Sequence, residues 1–453
     1  MEKTYAKPKP FQQKFSRLNH IPGELGLPFF GHIFSFIRDP FGLFDRKKAQ
    51  YGNIFKIRIL GNQVLVIMGK DANQFVLVEE AKYFSSKQAW EVNLGELFPG
   101  GLMLRDGEDH KFHRSILQSA FKKDPMNAYL EAMIPVIEQF FKGWQSRKEV
   151  NIFHEIKELT LYIAGKVFFG IDLSGELKQI NKAIIDIVKA STTALPFAIP
   201  FTPYWRGLQG RKVLERYFME ILQDRRKSPT KDMLGTLCTA ENDEGDRLSD
   251  WEIINHMIFI LMAGHDTTAS TLTSLFYELA KHPDWQEKLR EESRNFYAQG
   301  SADFNRLSEL SLLDYAIKET LRMHPPLILI PRVATESMEF EGHHIPKNTQ
   351  VIVMLYQTHY EDQIFAQPQQ FDPMRFAQDR AEHKKCSHAF APFGAGKHHC
   401  VGFAFAEMQI KLVISHALTH YRWSVPQGYQ MPYQPVPLQE PKDGLPVKLE
   451  RID

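Results

Sequence analysis

One cysteine near the end of the chain has the surroundings that most clearly predict chemistry. Cys400 belongs to the run Phe393-Gly-Ala-Gly-Lys-His-His-Cys-Val-Gly402, and an apolar helix is predicted from Val401 to Tyr421. A cysteine that opens a helix faces unpaired backbone N–H groups and the positive end of the helix dipole. Both stabilise the thiolate, which is the form that ligates iron. The cysteine loop (residues 393–402) is therefore a predicted metal site.

Three other residues of this loop have predicted structural roles. Gly396 and Gly402 would let the backbone approach a flat macrocycle closely, and Phe393 would cover the sulfur and exclude water. A lone cysteine is most often a buried free thiol. A zinc site built from Cys400 and the two preceding histidines is another alternative, although adjacent ligands fit tetrahedral zinc poorly. The spacing Phe-x-x-Gly-x-x-x-Cys-x-Gly rarely arises by chance, which favours a functional loop.

A second candidate site lies in the middle of a long helix predicted from Ser249 to Lys281, which opens on a capping box and ends at His-Pro. Its central run, Ala-Gly-His-Asp-Thr, includes a glycine that costs about 1 kcal/mol relative to alanine, which suggests that something lies close to the backbone. Thr267 could donate to the carbonyl of Ala263 and loosen the helix. Asp266 and Thr267 then form an acid and alcohol pair that could relay protons. An ordinary kink in a buried helix is the alternative.

Two charged pairs give weaker signals. Glu319 and Arg322 are spaced to share one helix face, and so are His110 and Arg114. Taken alone, the first pair is typical of a solvated ion pair, and the second could equally lie at the surface.

These motifs, in this order, make the sequence resemble the cytochrome P-450 superfamily. The family's cysteine loop has the same spacing, although it usually carries arginine where this chain has His398. The likeness extends from a Pro/Gly lead-in at Ile21 to a Pro-rich end near Lys448. It implies a mainly α fold with a small β portion, in which haem b lies between the long distal helix and the cysteine-bearing proximal helix.

The resemblance also implies roles for individual residues. Cys400 would ligate the haem iron, while Asp266 and Thr267 would deliver protons to bound dioxygen. The other haem-binding residues that it implies are His110, Arg114, Ala263, Gly264, Arg332, Phe393, His398 and Gly402.

A further implied feature is a buried ion network. The segment Phe371–Phe376 matches the family segment whose arginine, here Arg375, completes a network with Glu319 and Arg322. Buried charges must be paired, and a carboxylate between two arginines satisfies that demand. The network would hold the cysteine loop and take no part in chemistry.

The remaining pattern predicts the elements that position these residues. Strand-like runs at Ile54–Leu60 and Gln63–Met68 are broken at Gly61-Asn62 in the manner of a hairpin. Helical periodicity then prevails from Ala72 to Leu321. A short β region follows at Arg332–Leu355.

Composition limits the class of protein. The chain has 453 residues, of which 43% are hydrophobic, and no linker or repeat marks a boundary, so residues 1–453 are predicted to form one domain with residues 1–20 as a flexible lead-in. A net charge of +1 gives no reason to expect a nucleic-acid partner. Three cysteines and the absence of a long apolar run predict a cytoplasmic protein without a transmembrane anchor. We expect it to be a monomer.

The expected substrate is lipophilic, because segments that border the pocket in the resembled family are apolar here. The chain looks closest to bacterial relatives of retinoic-acid hydroxylases and lacks the tyrosine-containing signature of sterol demethylases between Phe84 and Met103. A fatty acid, retinoid, terpenoid or steroid therefore stays open. The Leu195–Phe201 loop could instead touch a membrane, with core packing as its alternative. The predicted pocket residues are Trp90, Leu97, Phe98, Leu102, Phe197, Ile199, Ile260, Leu327, Ile328 and Leu329.

The resemblance implies a monooxygenase that uses dioxygen and two electrons from a separate donor, expected to be a small acidic ferredoxin with its reductase. A basic docking face is predicted near the cysteine. Two alternatives stay open: a peroxygenase or isomerase on the same scaffold, and a non-catalytic haem sensor or carrier. The docking face would consist of Lys384, Lys385, Lys397 and Lys411.

Overall fold

Helices make up most of the chain, which confirms the predicted mainly α class. The computed structural model describes residues 15–173, 178–193 and 197–452. Among the described residues, none of the helices combines the length and apolar character needed to cross a bilayer. The helices are α1 (Ile33–Arg38), α2 (Pro40–Tyr51), α3 (Lys70–Gln74), α4 (Ser86–Leu94), α5 (Gly107–Ser119), α6 (Lys123–Lys142), α7 (Ile152–Phe169), α8 (Lys178–Ser191), α9 (Pro203–Lys227), α10 (Met233–Thr239), α11 (Asp250–Lys281), α12 (Pro283–Ala298), α13 (Ser311–Met323), α14 (Leu355–His359) and α15 (Phe403–His420).

The long helix α11 runs through the core with the boundaries that its sequence predicts. The Ser249 side chain accepts a hydrogen bond from the backbone of Glu252, whose carboxylate accepts one from the backbone of Ser249. This capping box satisfies N–H groups that the first turn cannot. The helix ends at His282, because Pro283 begins the next helix. Most of α11 is buried, which places its central run deep inside the protein.

Among the described residues, the β portion comprises three smaller sheets and one five-stranded sheet. The strand order of the five-stranded sheet is β1-β2-β8-β5-β3, and the first two strands form the predicted hairpin. Ile59 pairs with Asn62, so the turn residues are Leu60 and Gly61, both with positive φ, one position earlier than predicted. The strands are β1 (Ile54–Ile59), β2 (Asn62–Met68), β3 (Phe84–Ser85), β4 (Glu149–Asn151), β5 (Ile330–Ala334), β6 (Met338–Phe340), β7 (His343–Ile345), β8 (Gln350–Met354), β9 (Tyr421–Ser424), β10 (Tyr433–Gln434), β11 (Glu440–Pro441) and β12 (Pro446–Arg451).

The five-stranded sheet positions the cysteine loop through one of its two faces. Alternate strand residues, such as Leu65 and Val353, pack on one face against Ala391, which lies just before the loop. The opposite face, with Val66 and Ile352, packs against Phe44 of α2. The loop is therefore held against a rigid element.

The predicted flexible lead-in is partly wrong. Residues 1–14 lie outside the described residues, but Leu18 is fully buried. Its N–H donates to the side chain of Gln63 at 2.6 Å, and its carbonyl accepts from Lys56 Nζ at 2.8 Å. A buried side chain with satisfied backbone groups makes this part of the lead-in a packed element.

Candidate functional site

Cys400 lies near the end of the cysteine loop. Its backbone N–H donates to the Phe393 carbonyl at 2.9 Å, which closes the loop. Helix α15 begins only at Phe403, so the cysteine precedes the helix that it was predicted to open. The side chain is accessible, yet enough protein surrounds it to desolvate it. An accessible but desolvated sulfur faces inward.

The ionisation of Cys400 depends on more than the helix end. Burial raises the pKa of its thiol above the ordinary value, while the Gly402 N–H and the charge of Arg114 act in the opposite direction. Burial therefore outweighs the stabilisation of the thiolate by the helix end and by Arg114. A metal ion removes the thiol proton by binding the sulfur itself.

The tight position within the loop is Gly396, for a reason other than the one predicted. Its φ is +63°, and a Cβ there would lie 2.0 Å from the Leu77 carbonyl oxygen. The crowding neighbour is thus protein backbone and not a macrocycle. A Cβ on Gly402 would meet nothing nearer than the Phe121 ring at 3.9 Å, so the close approach of a cofactor to Gly402 stays a prediction.

Four basic side chains converge beside the cysteine loop and form a cationic cluster (His110, Arg114, Arg332 and His398). The two imidazole rings lie 4.0 Å apart. Arg114 donates to the His399 carbonyl at 2.7 Å, and the buried Arg332 donates to the Pro331 carbonyl at 2.9 Å. Across the described ranges, none of the four forms an ion pair with a carboxylate. All four residues were predicted from the sequence, and the structure brings them together.

This cluster carries more positive charge than the protein neutralises. Burial, followed by the neighbouring charge of Arg114, lowers the pKa of His110 to about 4. Burial and the charges of His110, Arg332 and Arg114 lower the pKa of His398 to about 3. Burial lowers the pKa of Arg332 to about 10, and only Asp106 opposes it. Such a cluster fits a ligand that brings carboxylates of its own.

The central run of α11 contains the predicted side-chain hydrogen bond within an unbroken helix. Thr267 Oγ1 donates to the Ala263 carbonyl at 2.8 Å. Within this otherwise buried stretch, Met262, Ala263, Gly264 and Thr267 stay partly accessible, so they face an internal space. A Cβ on Gly264 would meet only the Phe168 ring at 3.6 Å. Nothing in the protein explains this glycine, which leaves room for a ligand against the helix.

Asp266 does not point toward the threonine. Its Oδ1 lies 2.8 Å from His265 Nδ1 and 3.1 Å from Lys157 Nζ on α7. Burial acts to raise the pKa of Asp266, but the contacts with His265 and then Lys157 outweigh burial and lower it. Sequence reasoning missed Lys157, because a partner on a separate helix leaves no local spacing to detect.

The predicted ion network is present and fully buried. Glu319 accepts two hydrogen bonds from Arg322, at 2.7 and 2.9 Å, and one from Arg375 Nε at 2.9 Å. Arg375 also pairs with Glu382 at 2.8 Å, which sequence analysis missed. His359 extends the network toward the loop, because its carbonyl accepts from Arg322 and its Nε2 from Ala391.

Comparison with known proteins decides what this arrangement is. The family model described as Cytochrome P450 matches residues 21–445. The chain belongs to the cytochrome P450 family. It is a haem-thiolate monooxygenase. Among the described residues, no three His, Cys, Asp or Glu side chains group as a metal-binding set, which removes the ligands that the zinc alternative needs.

Relatives extend over nearly the entire chain. A protein named "Putative cytochrome P450 136" from Mycobacterium tuberculosis is 35% identical, covering 99% of this chain and 91% of its own length. "Abscisic acid 8'-hydroxylase 4" from Arabidopsis thaliana is 29% identical over 97% of this chain and 94% of its own. The solved structure "Retinoic acid bound cyanobacterial CYP120A1" superimposes with a TM-score of 0.86 at 29% identity, covering 95% of this chain and 99% of that one. The P450 fold is therefore established.

The predicted pocket residues divide into several groups. Leu97, Phe98, Leu102, Ile260 and Ile328 are buried, and Trp90 is half-buried. Phe197 and Ile199 are exposed beside the strongly exposed Phe201, while residues 195 and 196 of the predicted loop lie outside the described residues. Leu327 is also exposed.

Leu329 is a misassigned pocket residue. It packs against the sheet cluster that contains Val66 and Ile352. The next residue, Ile330, faces the cysteine loop instead, because its Cδ1 would lie 3.6 Å from a Cβ on Gly394. Successive side chains in a strand point to opposite faces, so Leu329 and Ile330 pack on opposite sides of the sheet.

The predicted basic docking face contains one wrong residue. Lys384, Lys385 and Lys397 are exposed. Lys411 is buried, donates to the Leu307 carbonyl at 3.2 Å and pairs with Asp314 at 3.3 Å. It therefore holds helices together and is removed from the face.

Proposed function

We propose that this P450 uses dioxygen to hydroxylate a lipophilic small molecule. The two electrons that the reaction needs would come from separate redox proteins. The observation that carries the proposal is the cationic cluster beside Cys400. Haem b, when bound, activates dioxygen, and its carboxylates supply the anions that the cluster lacks. His110, Arg114, Arg332 and His398 would hold those carboxylates, and Cys400 would ligate the iron.

The chain's own contribution to the reaction is to move protons and exclude water. We assign proton delivery to Asp266 and Thr267, because Thr267 lies on the partly accessible stretch of α11 and Asp266 is the buried acid next to it. Ala263 and Gly264 would border the cofactor, and Phe393 would shield the sulfur. The Glu319 network would keep the cysteine loop in place.

A lipophilic acid is the substrate class that we favour among fatty acids, retinoids, terpenoids and steroids. The relatives named above include a retinoic-acid-bound protein and an abscisic acid hydroxylase, and both named compounds are apolar skeletons with one carboxyl group. The apolar residues Leu97, Phe98, Leu102, Ile260 and Ile328 would bind such a skeleton. Trp90, Leu327 and the exposed Phe197 and Ile199 would lie closer to its entrance.

We further propose that the protein acts as a cytoplasmic single-domain monomer that receives electrons from a ferredoxin and its reductase. Lys384, Lys385 and Lys397 are exposed near the cysteine loop. Exposed positive charge speeds encounter with an acidic partner.

A spectral-shift screen followed by turnover tests this proposal. The probes are retinoic acid, abscisic acid, palmitic acid and progesterone, and turnover uses a surrogate ferredoxin and reductase with NADPH. We expect at least one lipophilic acid to shift the haem spectrum and to yield a hydroxylated product. Ligand binding with no product and no NADPH consumption above background would instead identify a carrier.

A matched pair of threonine variants tests proton delivery in the same assay. Thr267→Ala is expected to lower turnover about 100-fold. Thr271→Ala is the control, because Thr271 makes the same type of hydrogen bond, to the Thr267 carbonyl at 3.0 Å, one turn further along α11. Equal losses in both variants would contradict the assignment.

A further inference from the structure

A buried arginine beside the predicted pocket has one edge that the protein does not pair. The Arg105 side chain is 2% exposed. Its Nε donates to the Gly100 carbonyl at 2.8 Å, and its Nη1 donates to both carboxylate oxygens of Asp109 at 2.8 Å. Its Nη2 is buried and has no hydrogen-bond partner among the described residues. A buried donor without an acceptor is unfavourable, so this edge of Arg105 fits an acceptor that comes from a ligand.

Arg105 lies directly behind the segment that was predicted to line the pocket. Gly100, which accepts from its Nε, follows the predicted pocket residue Phe98 by two positions. A Cβ on Gly100 would lie 3.0 Å from Arg105 Nη2, and one on Gly101 would lie 2.9 Å from the Phe259 ring of α11. The Phe98 and Phe259 rings lie 6.1 Å apart. The unpaired edge of Arg105 is therefore next to the place where this segment meets α11.

A second buried nitrogen near Arg105 also lacks a partner. His256 Nε2 lies 2.9 Å from His113 Nδ1, whereas His256 Nδ1 has no hydrogen-bond partner in the described part of the chain. Burial, followed by the charges of His113 and Arg105, holds the pKa of His256 well below its ordinary value. A neutral imidazole adds no positive charge, but its Nδ1 can donate or accept one hydrogen bond. The region therefore offers a ligand one cation and one neutral polar atom.

The protein neutralises the charge of Arg105 only in part. Within the described ranges, Asp109 is the one carboxylate that pairs with it, and the Asp109 side chain is 61% exposed, so solvent screens this pair. The nearby Glu252 lies 3.5 Å from His113 Nε2. By contrast, the similarly buried Arg375 pairs with two carboxylates. A planar guanidinium can therefore bind a second carboxylate at Nη2.

We propose that Arg105 determines specificity by binding the carboxylate of the lipophilic acid through Nη2. The proposal rests on the proposed function and identifies the residue that recognises the polar end of the substrate. The apolar skeleton would lie against the neighbouring Phe98 and Phe259. A carboxylate is favoured over a hydroxyl group, because only the anion gains from the charge of the guanidinium.

Matched ligand pairs test the Arg105 anchor in the holoprotein. The probes are retinoic acid with retinol and palmitic acid with 1-hexadecanol, and Kd is measured from the shift of the haem spectrum. In the parent chain, at least one acid should bind about tenfold or more tightly than its alcohol. Arg105→Gln should raise the Kd of that acid about tenfold and change the Kd of the alcohol less than about twofold. Equal Kd values for acid and alcohol in the parent chain would overturn the anchor.

Arg211→Gln is the matched control for the loss of a buried arginine beside this segment. Arg211 is also buried, donates to the Leu97 carbonyl at 2.7 Å and pairs with Glu215. Its loss should therefore weaken the acid and the alcohol by the same factor. If Arg105→Gln weakened both members of a pair equally, as expected for Arg211→Gln, the anchor would be overturned.

Asp109→Asn preserves the test if Arg105→Gln does not fold, because the Asp109 side chain is largely exposed. This variant removes the protein's own carboxylate from Arg105. The preference for the acid over the alcohol should then increase by about twofold or more. An unchanged or smaller preference would overturn the anchor.

The anchor and the proposed function fail separately. If the acids bound with the expected preference but no hydroxylated product formed in the surrogate redox assay, the hydroxylase proposal would be refuted while the anchor stood. If a lipophilic acid were hydroxylated but Arg105→Gln lowered the affinities for acid and alcohol equally, the proposed function would stand without the anchor.

Discussion

Two groups of arginines differ in how the protein pairs their positive charges. In the Glu319 network, the carboxylate binds Arg322 and Arg375 at 2.7 to 2.9 Å, and Glu382 adds a second carboxylate. In the cationic cluster, the arginines and histidines contact carbonyls and one another, and no carboxylate among the described residues pairs with them. Both regions contact segments that support Cys400.

The difference separates scaffold from binding site. A buried charge whose partners all come from the protein contributes to the fold whether or not a ligand is present. A buried cation without a protein anion is costly until a ligand supplies one. Variants in the two regions should therefore differ in whether haem changes their effect.

The largest stability effect is expected in the network. Glu319→Gln leaves two buried guanidinium groups short of a charge, and we expect the free energy of unfolding to fall by about 3–5 kcal/mol. Glu309→Gln is the matched control, because Glu309 pairs with Arg306 at the same spacing but is partly exposed, and it should cost at most about 1 kcal/mol. Urea unfolding of both variants measures the difference; similar costs would contradict the scaffold role.

The effect of substituting Arg332 should depend on whether haem is bound, unlike the effect of substituting Glu319. In the apoprotein, Arg332→Gln removes an unpaired buried cation, so stability should change little or rise. In the holoprotein, the same variant should lose haem to a scavenging apoprotein at least about tenfold faster, since a charge-assisted contact is gone. Destabilised apoprotein together with unchanged haem loss would assign Arg332 to the scaffold.

The network should also respond to acid through His359. Burial, followed by the charge of Arg322, lowers the pKa of this buried histidine to about 3. The unfolded chain binds a proton near pH 6.5 and the folded one does not. Stability is therefore lost as pH falls below 6.5, by about 2 kcal/mol at pH 5 from this group alone. His359→Asn should be less stable at pH 8 but should lose less between pH 6.5 and 5; an unchanged slope would refute this.

The smallest effect concerns the surface lysines. Lys397→Glu with Lys384→Glu should slow electron transfer from a surrogate ferredoxin a few-fold at low salt, and the difference should shrink at high salt. Lys288→Glu is the control, because Lys288 is exposed on α12. Equal electron-transfer rates in all variants at low salt would contradict the proposed docking face.

Local sequence signals predicted the scaffold well. The capping box and the His-Pro stop place α11 correctly, because each depends on residues a few positions apart. The Glu319 network and the cationic cluster were found because the family resemblance supplied the long-range partners. The helix boundaries and the two charged clusters could therefore be predicted from motifs in the sequence.

Partners that meet only in three dimensions were missed or misassigned. Lys157 reaches Asp266 from α7, and Glu440 reaches Lys157 from the C-terminal segment. Lys411 was predicted to be a surface charge, but it is buried in contact with Asp314 and the Leu307 carbonyl. Leu329 was placed in the pocket because the sequence could not show that it packs on the other face of the sheet from Ile330.

The central claim is that the Cys400 sulfur binds haem iron as a thiolate. The most direct measurement is the absorption spectrum of the reduced, carbon-monoxide-treated holoprotein, recorded for the parent chain and for Cys400→Ser. We expect the parent to show its Soret band at the position typical of thiolate ligation and the variant to lose that band. A thiolate-type band that persists in Cys400→Ser, or that is missing from the folded parent, would contradict the account.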